Sequence, residues 1–534
     1  MHTRSPRKEE SNRRSCWLDV GYNGFERLTI MRIQLLHPPI YVNKRAVQAT
    51  RPSLPLGLAY VAAALREDGH DVSVLDAVLR KPDQQTVDGP LQYIGLRPEE
   101  IAEAIDPDAD AIGVSVMFSF TWPLAKRIIR GVKERYPDKA VVAGGEHCTG
   151  MPEYSLRGAP IDYVVLGEGE ATAQELFRAL SEGRTDLDQV PGLAFLSDGR
   201  FVKTPTRERI REVDALRRPA WDLFDPQAYY RMGFVFGVDA GMTMPILATR
   251  GCPYECTYCS NAMMWGRRWY ARDPAHVADE IAAYHHEYGA TNFPFHDLTA
   301  ILKKSWIVAF CEELLRRGLC ITWQLPSGTR CEVVDEEVAF LLRRTGGSSL
   351  TFAPESGSAR TRALIKKKMS EEDLMRAVRA CAAERLNIST FFVIGFPHDT
   401  REDLNASVRF AVRLATAGVN DIALSLFFPI PNTELYEELV AAGRIVPSDD
   451  FLLTPLFAME PVIRDEVNYC RGLSARQLTW FKYKILGAFY LTSFLVRPWR
   501  FFQILWNVAR GRETCKLDIF LNSRKRRLLE KFRA

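Results

Sequence analysis

Arg250-Gly-Cys-Pro-Tyr-Glu-Cys-Thr-Tyr-Cys-Ser260 carries three thiols, Cys252, Cys256 and Cys259, with three residues in the first interval and two in the second. A loop this short can place three thiolates on three corners of a cubane iron–sulfur cluster and leave the fourth iron without a protein ligand. Such an iron is a reaction site, because a small molecule can chelate it and take an electron. The alternatives are a structural zinc site or buried loop cysteines. Zinc calls for a fourth Cys or His at close spacing. The nearest histidines, His276, His285 and His286, fall on a helix-like stretch instead. Disulfides do not suit a chain that reads as reduced and cytosolic.

The motif and its flanks resemble the radical S-adenosylmethionine (SAM) superfamily. The resemblance implies a 4Fe–4S cluster on the three cysteines, with the open iron holding the amino and carboxylate groups of SAM. Electron transfer then yields a 5′-deoxyadenosyl radical. Tyr258 matches the aromatic that packs near the adenine. The radical chemistry belongs to the cofactors, and the protein positions them and excludes side reactions.

At 534 residues the chain exceeds one ordinary core and suggests two or three domains. Hydrophobic content of 47% with 25% charged residues is that of a globular protein. A net charge of +4 argues for no nucleic-acid partner. Outside the loop, Cys16, Cys148, Cys311, Cys320, Cys331, Cys381, Cys470 and Cys515 are scattered and read as buried thiols, with Cys331 following a barrel strand. Residues 1–30 are polar and basic without an apolar segment, so they read as a disordered extension ahead of a cytoplasmic protein.

Residues 31–185 alternate short apolar strands (Ile33–Leu36, Val72–Leu75, Ala111–Val116, Ala140–Ala143, Tyr163–Leu166) with helices such as Leu56–Arg66 and Pro123–Arg135. This predicts a doubly wound parallel sheet that binds ligands beyond the carboxyl ends of its strands. Gly144-Gly145 and Gly167-Glu-Gly-Glu170 mark two of those ends, where glycine lets backbone approach a ligand or simply makes a turn. No G-x-G-x-x-G follows the first strand, which disfavours a nicotinamide cofactor. Pro55-Leu-Gly-Leu-Ala-Tyr60, Gly113-Val-Ser-Val116, Gly144-Gly-Glu-His147 and Gly167–Glu170 together resemble the cobalamin-binding domain that precedes many radical SAM barrels. The resemblance implies that Leu56, Gly57, Ser115, Gly144, Gly145, Gly167, Glu168, Gly169 and Glu170 contact the corrin. The D-x-H-x-x-G signature is absent, so binding with no protein histidine on cobalt is expected. His37 and His147 read as satisfied or supporting histidines.

Residues 186–242 read as a linker with a hairpin at Gly192–Leu196 and Arg200–Val202. Alternation returns at Pro245–Thr249 and continues through Thr291–Phe295, Ile321–Leu325, Ser348–Phe352, Ile388–Ile394 and Asp421–Phe427, with helices between. Six strand–helix pairs over 243–460 predict a partial parallel (β/α)6 barrel whose chemistry gathers at the strand ends. The resemblance assigns Asp297, Arg330, Glu355, Ser356 and Gly395 to SAM. Asp297 also reads as a helix cap and Arg330 as a salt-bridge partner, while Glu355 needs a counter-charge at a barrel mouth. The Gly-Gly-Glu run of the family is not evident after the second strand.

Residues 461–534 form a helical, basic extension. Ile485–Val496 is uncharged and too short to span a bilayer. From Arg497 onward eleven cations face three acids, and aromatics beside arginines fit an interfacial helix or a helix packed on the barrel. An interfacial tail would imply a lipid presented at the bilayer. The whole is expected to be an α/β cobalamin-dependent radical SAM enzyme, methylating an unactivated carbon of a small-molecule, lipid or peptide substrate, with a flavodoxin- or ferredoxin-type electron donor. An oxidative cyclase without net methyl transfer is the nearest alternative. A cobalamin- or SAM-sensing module is the alternative of another class.

Overall fold

In the computed structural model, which describes residues 30–46, 51–515, 517–522 and 524–525, the first strand Arg32–His37 lies between Asp71–Asp76 and Ala111–Ser115. The expected extension at 1–30, Ile30 aside, lies outside those residues, as do Lys516, Arg526, Arg527, Lys531 and Arg533 of the basic tail. Beyond Ala111–Ser115 the sheet continues in parallel through Ala140–Gly144 and Tyr163–Val165. These strands are runs of Val, Ile and Ala buried on both faces, as a sheet covered by helices requires. The helix Trp122–Arg135 covers one face through Leu124, Ala125, Ile128, Ile129 and Val132, spaced for a helical stripe.

The hairpin Leu193–Ser197 and Arg200–Lys203 is not a free linker element. It pairs antiparallel with Tyr163–Val165 and becomes the edge of the first sheet. Sequence spacing shows a hairpin but not which edge accepts it. A small antiparallel sheet of Ile40–Val42, Gln85–Asp88 and Leu91–Ile94 was also not anticipated.

The second domain is a parallel sheet ordered Asn292–Pro294, Thr322–Thr329, Gly347–Glu355, Asn387–Ile394 and Asp421–Leu426. The expected first strand is an extended segment beside Asn292–Pro294, joined by bridges at Thr243–Asn292 and Ile246–Phe295, which completes a partial six-fold barrel. The intervening helices begin where polar side chains cap them. Asp273 accepts from the Ala275 amide, Asp335 from Val338, Ser370 from Asp373, and Thr400 with Asp403 forms a capping box.

One contiguous apolar cluster runs through the domain boundary, uniting Leu58 and Ala62 with Trp221 and Tyr229 of the linker and Ile281 and Tyr284 of the barrel. The Ala220 amide donates to the Ala59 carbonyl at 3.0 Å. This shared core packs the helix Leu56–Glu67 of the first domain and the linker against the helix Pro274–Tyr288 of the barrel.

Candidate active site

The cysteine loop leaves the barrel at Arg250. Gly251 takes φ +87°, and a Cβ there would sit 2.2 Å from the Arg268 carbonyl oxygen, so only glycine makes this turn. Backbone bonds then shape the loop. The Cys259 amide donates to the Cys256 carbonyl at 3.1 Å, Asn261 Nδ2 to the Cys252 carbonyl at 3.0 Å, and the Thr257 amide to the Ile365 carbonyl at 3.2 Å. Cys252, Cys256 and Cys259 are free thiols, neither exposed nor fully enclosed. Among the described residues no three His, Cys, Asp or Glu side chains gather as a single-ion site requires. A cubane asks for something else, since each thiolate takes its own iron.

Burial pushes the Cys256 thiol up, opposed by the Lys367 ammonium and reinforced by Glu355; burial pushes Cys259 up to about 12. Ligation would therefore release protons. The donor set fits a cluster with one open iron: three thiols on one loop, cations close by, and Thr257 Oγ1 buried without a protein partner.

The mouth residues fall into two groups. Glu355 ends its strand at φ +64°, a strained conformation for a non-glycine residue, and accepts an ion pair from Lys367 Nζ at 3.1 Å. Tyr258 is half-buried beside Glu355 and meets Phe396 edge-to-face at 5.5 Å. Arg330 stacks over the Tyr254 ring of the cysteine loop at 4.0 Å, pairs with Glu332 and reaches the Lys368 carbonyl at 2.5 Å. These groups stand around the cysteines.

Asp297, Ser356 and Gly395 instead serve the framework. Asp297 is buried and accepts from Thr249 Oγ1 at 2.6 Å and the Ala248 amide at 3.2 Å, and burial raises it to about 6. It ties the first barrel segment to the second rather than capping a helix. Ser356 Oγ accepts from the Ser358 amide at 3.1 Å and lies 3.4 Å from Ser407 Oγ. The Gly395 amide donates to Asp399 at 2.9 Å. That leaves its carbonyl for any outside contact.

Lys367 and Tyr254 escaped sequence reading. The Lys366–Lys368 run was a visible signal, but nothing local says that its middle member turns inward.

On the first domain, Ser115, Gly144, Gly145 and Gly167 all lie at the carboxyl edge of the sheet. Gly145 has φ +113°, and a Cβ would meet the Val116 carbonyl oxygen at 2.5 Å. Gly57, beside half-buried Leu56 in the first turn of Leu56–Glu67, is exposed with open space at its Cβ position. Met117 and Phe118 follow Ser115 and are half exposed, an apolar rim that sequence reading missed. A small groove between this edge and the barrel is lined by Ser119, Thr149, Met263, Met264, Ile430 and Pro431 and is crossed by the Ser260–Glu146 hydrogen bond. Backbone bare of side chains at Gly57, Gly144, Gly145 and Gly167 is what a flat corrin laid against this edge would need.

His37 and His147 are both buried, and His147 Nε2 has no protein partner. His37 Nδ1 lies 3.3 Å from Asp76 and 3.2 Å from the Tyr229 hydroxyl. His147 is buried, stacks on Trp122 at 4.9 Å, contacts Ser119 Oγ at 3.1 Å, and is pushed down to about 3 by burial.

Glu168 and Glu170 depart from the corrin assignment. Both turn toward the barrel and grip Arg250, through Nη1 to Glu168 at 3.0 Å and Nη2 to Glu170 at 2.5 Å. The three side chains are almost fully buried, 2%, 6% and 8% exposed. Arg250 also lies over Tyr60 and Trp265, at 5.2 and 5.7 Å. Arg209 binds Glu168 from the linker at 3.2 Å. Ser260, at the far end of the cysteine loop, donates to Glu146 of the first domain. Gly169 packs against Val61, 3.2 Å from its Cβ position. The two glycine-rich segments, Gly144–His147 and Gly167–Glu170, thus clamp the two ends of the cysteine loop across the domain boundary.

Residues 46–177 match the B12 binding domain family, and residues 246–411 match the Radical SAM superfamily. The chain is 31% identical over 473 residues to an uncharacterized methyltransferase of Pyrococcus horikoshii, covering 88% of this chain and 94% of the relative. It is 26% identical over 443 residues to the anaerobic magnesium-protoporphyrin IX monomethyl ester cyclase of Rubrivivax gelatinosus, covering 82% and 75%. The fold is shared with the radical SAM methyltransferase TsrM of Kitasatospora setae, solved with tryptophan and a SAM analog. The TM-score is 0.62 at 19% identity, covering 86% of this chain and 89% of that one.

Proposed function

Because the chain belongs to the B12-binding branch of the radical SAM superfamily, we propose that it methylates an unactivated carbon of a small-molecule, lipid or peptide substrate. Cys252, Cys256 and Cys259 would hold a 4Fe–4S cluster, and the glycine-lined edge at Gly57, Ser115, Gly144, Gly145 and Gly167 would hold cobalamin. When bound, these groups supply an electron for cleaving the SAM sulfonium and a methyl group carried on cobalt.

The chain's own residues set the conditions. Lys367 and Arg330 bring positive charge to thiolates and to the SAM carboxylate, while Glu355 counters Lys367 and suits the cationic end of SAM. Tyr258 and Phe396 form an aromatic wall against the adenine. The observation that carries the reading is the buried Glu168–Arg250–Glu170 bridge, which fixes the cysteine loop to the cobalamin edge.

An electron donor of flavodoxin or ferredoxin type, a cytoplasmic location and peripheral membrane contact through the tail belong to the same proposal. Among the described residues no helix is long and apolar enough to cross a membrane. The cyclase of Rubrivivax gelatinosus supports a second reading, oxidation or cyclisation without net methyl transfer.

Anaerobic incubation of reconstituted enzyme with SAM and a low-potential reductant, with and without cobalamin, separates them by product mass. A cobalamin-dependent gain of one methylene supports methylation, and loss of hydrogen without that gain supports the cyclase reading. Absence of 5′-deoxyadenosine under every condition would refute both.

A further inference from the structure

The helix Trp499–Arg510 is amphipathic in the reverse sense. Arg500 and Asn507 point inward, while Trp499, Phe502, Leu505 and Trp506 are 52 to 67% exposed. Arg500 donates to the Gly418 and Val419 carbonyls at 2.7 Å each, and Arg497 to the Ala415 and Thr416 carbonyls at 2.9 and 3.1 Å. Both arginines therefore satisfy the carboxyl end of the helix Arg401–Ala417 and are not free to meet a surface. Asn507 binds Asp518 at 2.9 Å. The polar face is consumed by the protein, and the aromatic face is left to the outside.

The preceding helix, Ala475–Val496, adds to this surface. Its Phe481, Ile485 and Phe489 are buried, yet Leu491, Leu495 and Val496 on other sides are exposed. A helix end that is apolar all round and still exposed lacks a partner.

We propose that this surface seats the enzyme on an anionic bilayer, with the amino-terminal end of the barrel toward the lipid and the cysteine loop away from it. The charge around the patch selects that occupant. Arg510 stacks on Trp506 at 4.1 Å, Arg524 lies over Phe520 at 5.3 Å, and Arg512 is exposed. The two described carboxylates beyond Val496 are turned inward, Glu513 onto Arg51 and Asp518 at 0% exposure. Paired aromatics and cations of this kind favour the headgroup boundary. A second copy of the chain, meeting this patch by two-fold symmetry, would oppose the same cations to one another.

The orientation follows from the ends of the tail. Leu478 lies by Gly395 at the carboxyl end of the barrel, 3.2 Å from that residue's Cβ position. Tyr490 donates to Asp421 and the Thr514 carbonyl accepts from Asn387, the first residues of their strands. At 1.5 Å per residue the helix descends about 28 Å between Leu478 and Arg497. This reverses the expectation that docking would present a bilayer lipid to the site, because substrate enters from the aqueous side. The orientation rests on the functional reading above, since it takes the cysteine-loop end as the working end; the docking itself does not.

The test uses full-length reconstituted enzyme and vesicles of phosphatidylcholine with or without phosphatidylglycerol. Co-sedimentation with the anionic vesicles is expected, weakened by salt, and reduced at least about tenfold by F502E/W506E. The variant should retain cluster content and SAM cleavage, which shows that it is folded. Docked wild-type enzyme should cleave SAM within about twofold of the free rate, since its mouth stays open to water. No vesicle binding, binding unchanged in F502E/W506E, or a wild-type dimer that the variant makes monomeric would overturn the docking. A tenfold fall in SAM cleavage on docking would overturn the orientation. Absence of SAM cleavage both free and docked would instead count against the enzymatic reading and leave the docking standing.

Discussion

Removing charge from the Glu168–Arg250–Glu170 bridge should loosen the cysteine loop far more than its surroundings. At 2.5 to 3.0 Å and an effective dielectric of about 20, each pair attracts by about 6 kcal/mol before desolvation is counted. With Arg209 on Glu168 the cluster is balanced, two cations against two carboxylates. Arg250→Met leaves a net negative charge in the interface, and Glu170→Gln leaves a net positive one. Either imbalance should cost about 3–5 kcal/mol, with Glu170→Gln at the low end because the amide oxygen still accepts a hydrogen bond. The double variant restores neutrality, so it should be no less stable than Arg250→Met, with a coupling of about 2–4 kcal/mol. Hydrogen exchange of the peptide spanning residues 250–265 reads this directly. A loss of about 3 kcal/mol speeds its opening about a hundredfold. Cobalamin affinity should change much less in Glu170→Gln. Protection altered by less than threefold in both single variants, or strictly additive effects, would refute the clamp. A selective loss of cobalamin binding would return Glu170 to the corrin.

Three further outcomes are expected. Cys256→Ala should lose one cluster ligand and reductive SAM cleavage while both domains stay folded; an unchanged 5′-deoxyadenosine yield would refute the radical SAM reading of the loop. Bound cob(II)alamin should show no nitrogen hyperfine splitting from protein in its paramagnetic resonance spectrum, because His37 and His147 are buried, packed against Asp76, Tyr229, Ser119 and Trp122. Such splitting would refute that placement. Lys482 is 4% exposed, and burial lowers it from 10.5 to about 8, so the folded chain holds its proton less tightly than the unfolded one. Below pH 8 both states are protonated and the folded state bears the full penalty, which fades as pH rises toward 10.5. Lys482→Met should therefore stabilise by about 1–3 kcal/mol near neutrality, and melting curves against pH should show the gain disappearing in alkali. A gain independent of pH would contradict it.

The local parts of this protein were legible because their chemistry is written in short intervals. Three thiols at these intervals on one loop point to a cluster binder before the fold is known. Apolar runs ending in Gly144-Gly145 or Glu355 describe strands with ligand-facing ends, and Asp273, Asp335, Ser370 and Thr400 announce the helices that follow them. Periodicity and capping act within a few residues, so two domains of parallel α/β type follow from sequence without tertiary information. The direction in which a polar side chain turns does not. Glu168 and Glu170 stand at a strand end in sequence, but whether they face a corrin or Arg250 depends on a partner some eighty residues away. Arg497 and Arg500 add to the positive charge of the tail, yet they bind the carbonyls of a helix that ended long before them. Lys367 is one of three consecutive lysines, and only the fold brings it to Glu355 and Cys256. Burial decides each case, because a charge leaving water must find its counter-charge or carbonyl wherever packing has put one.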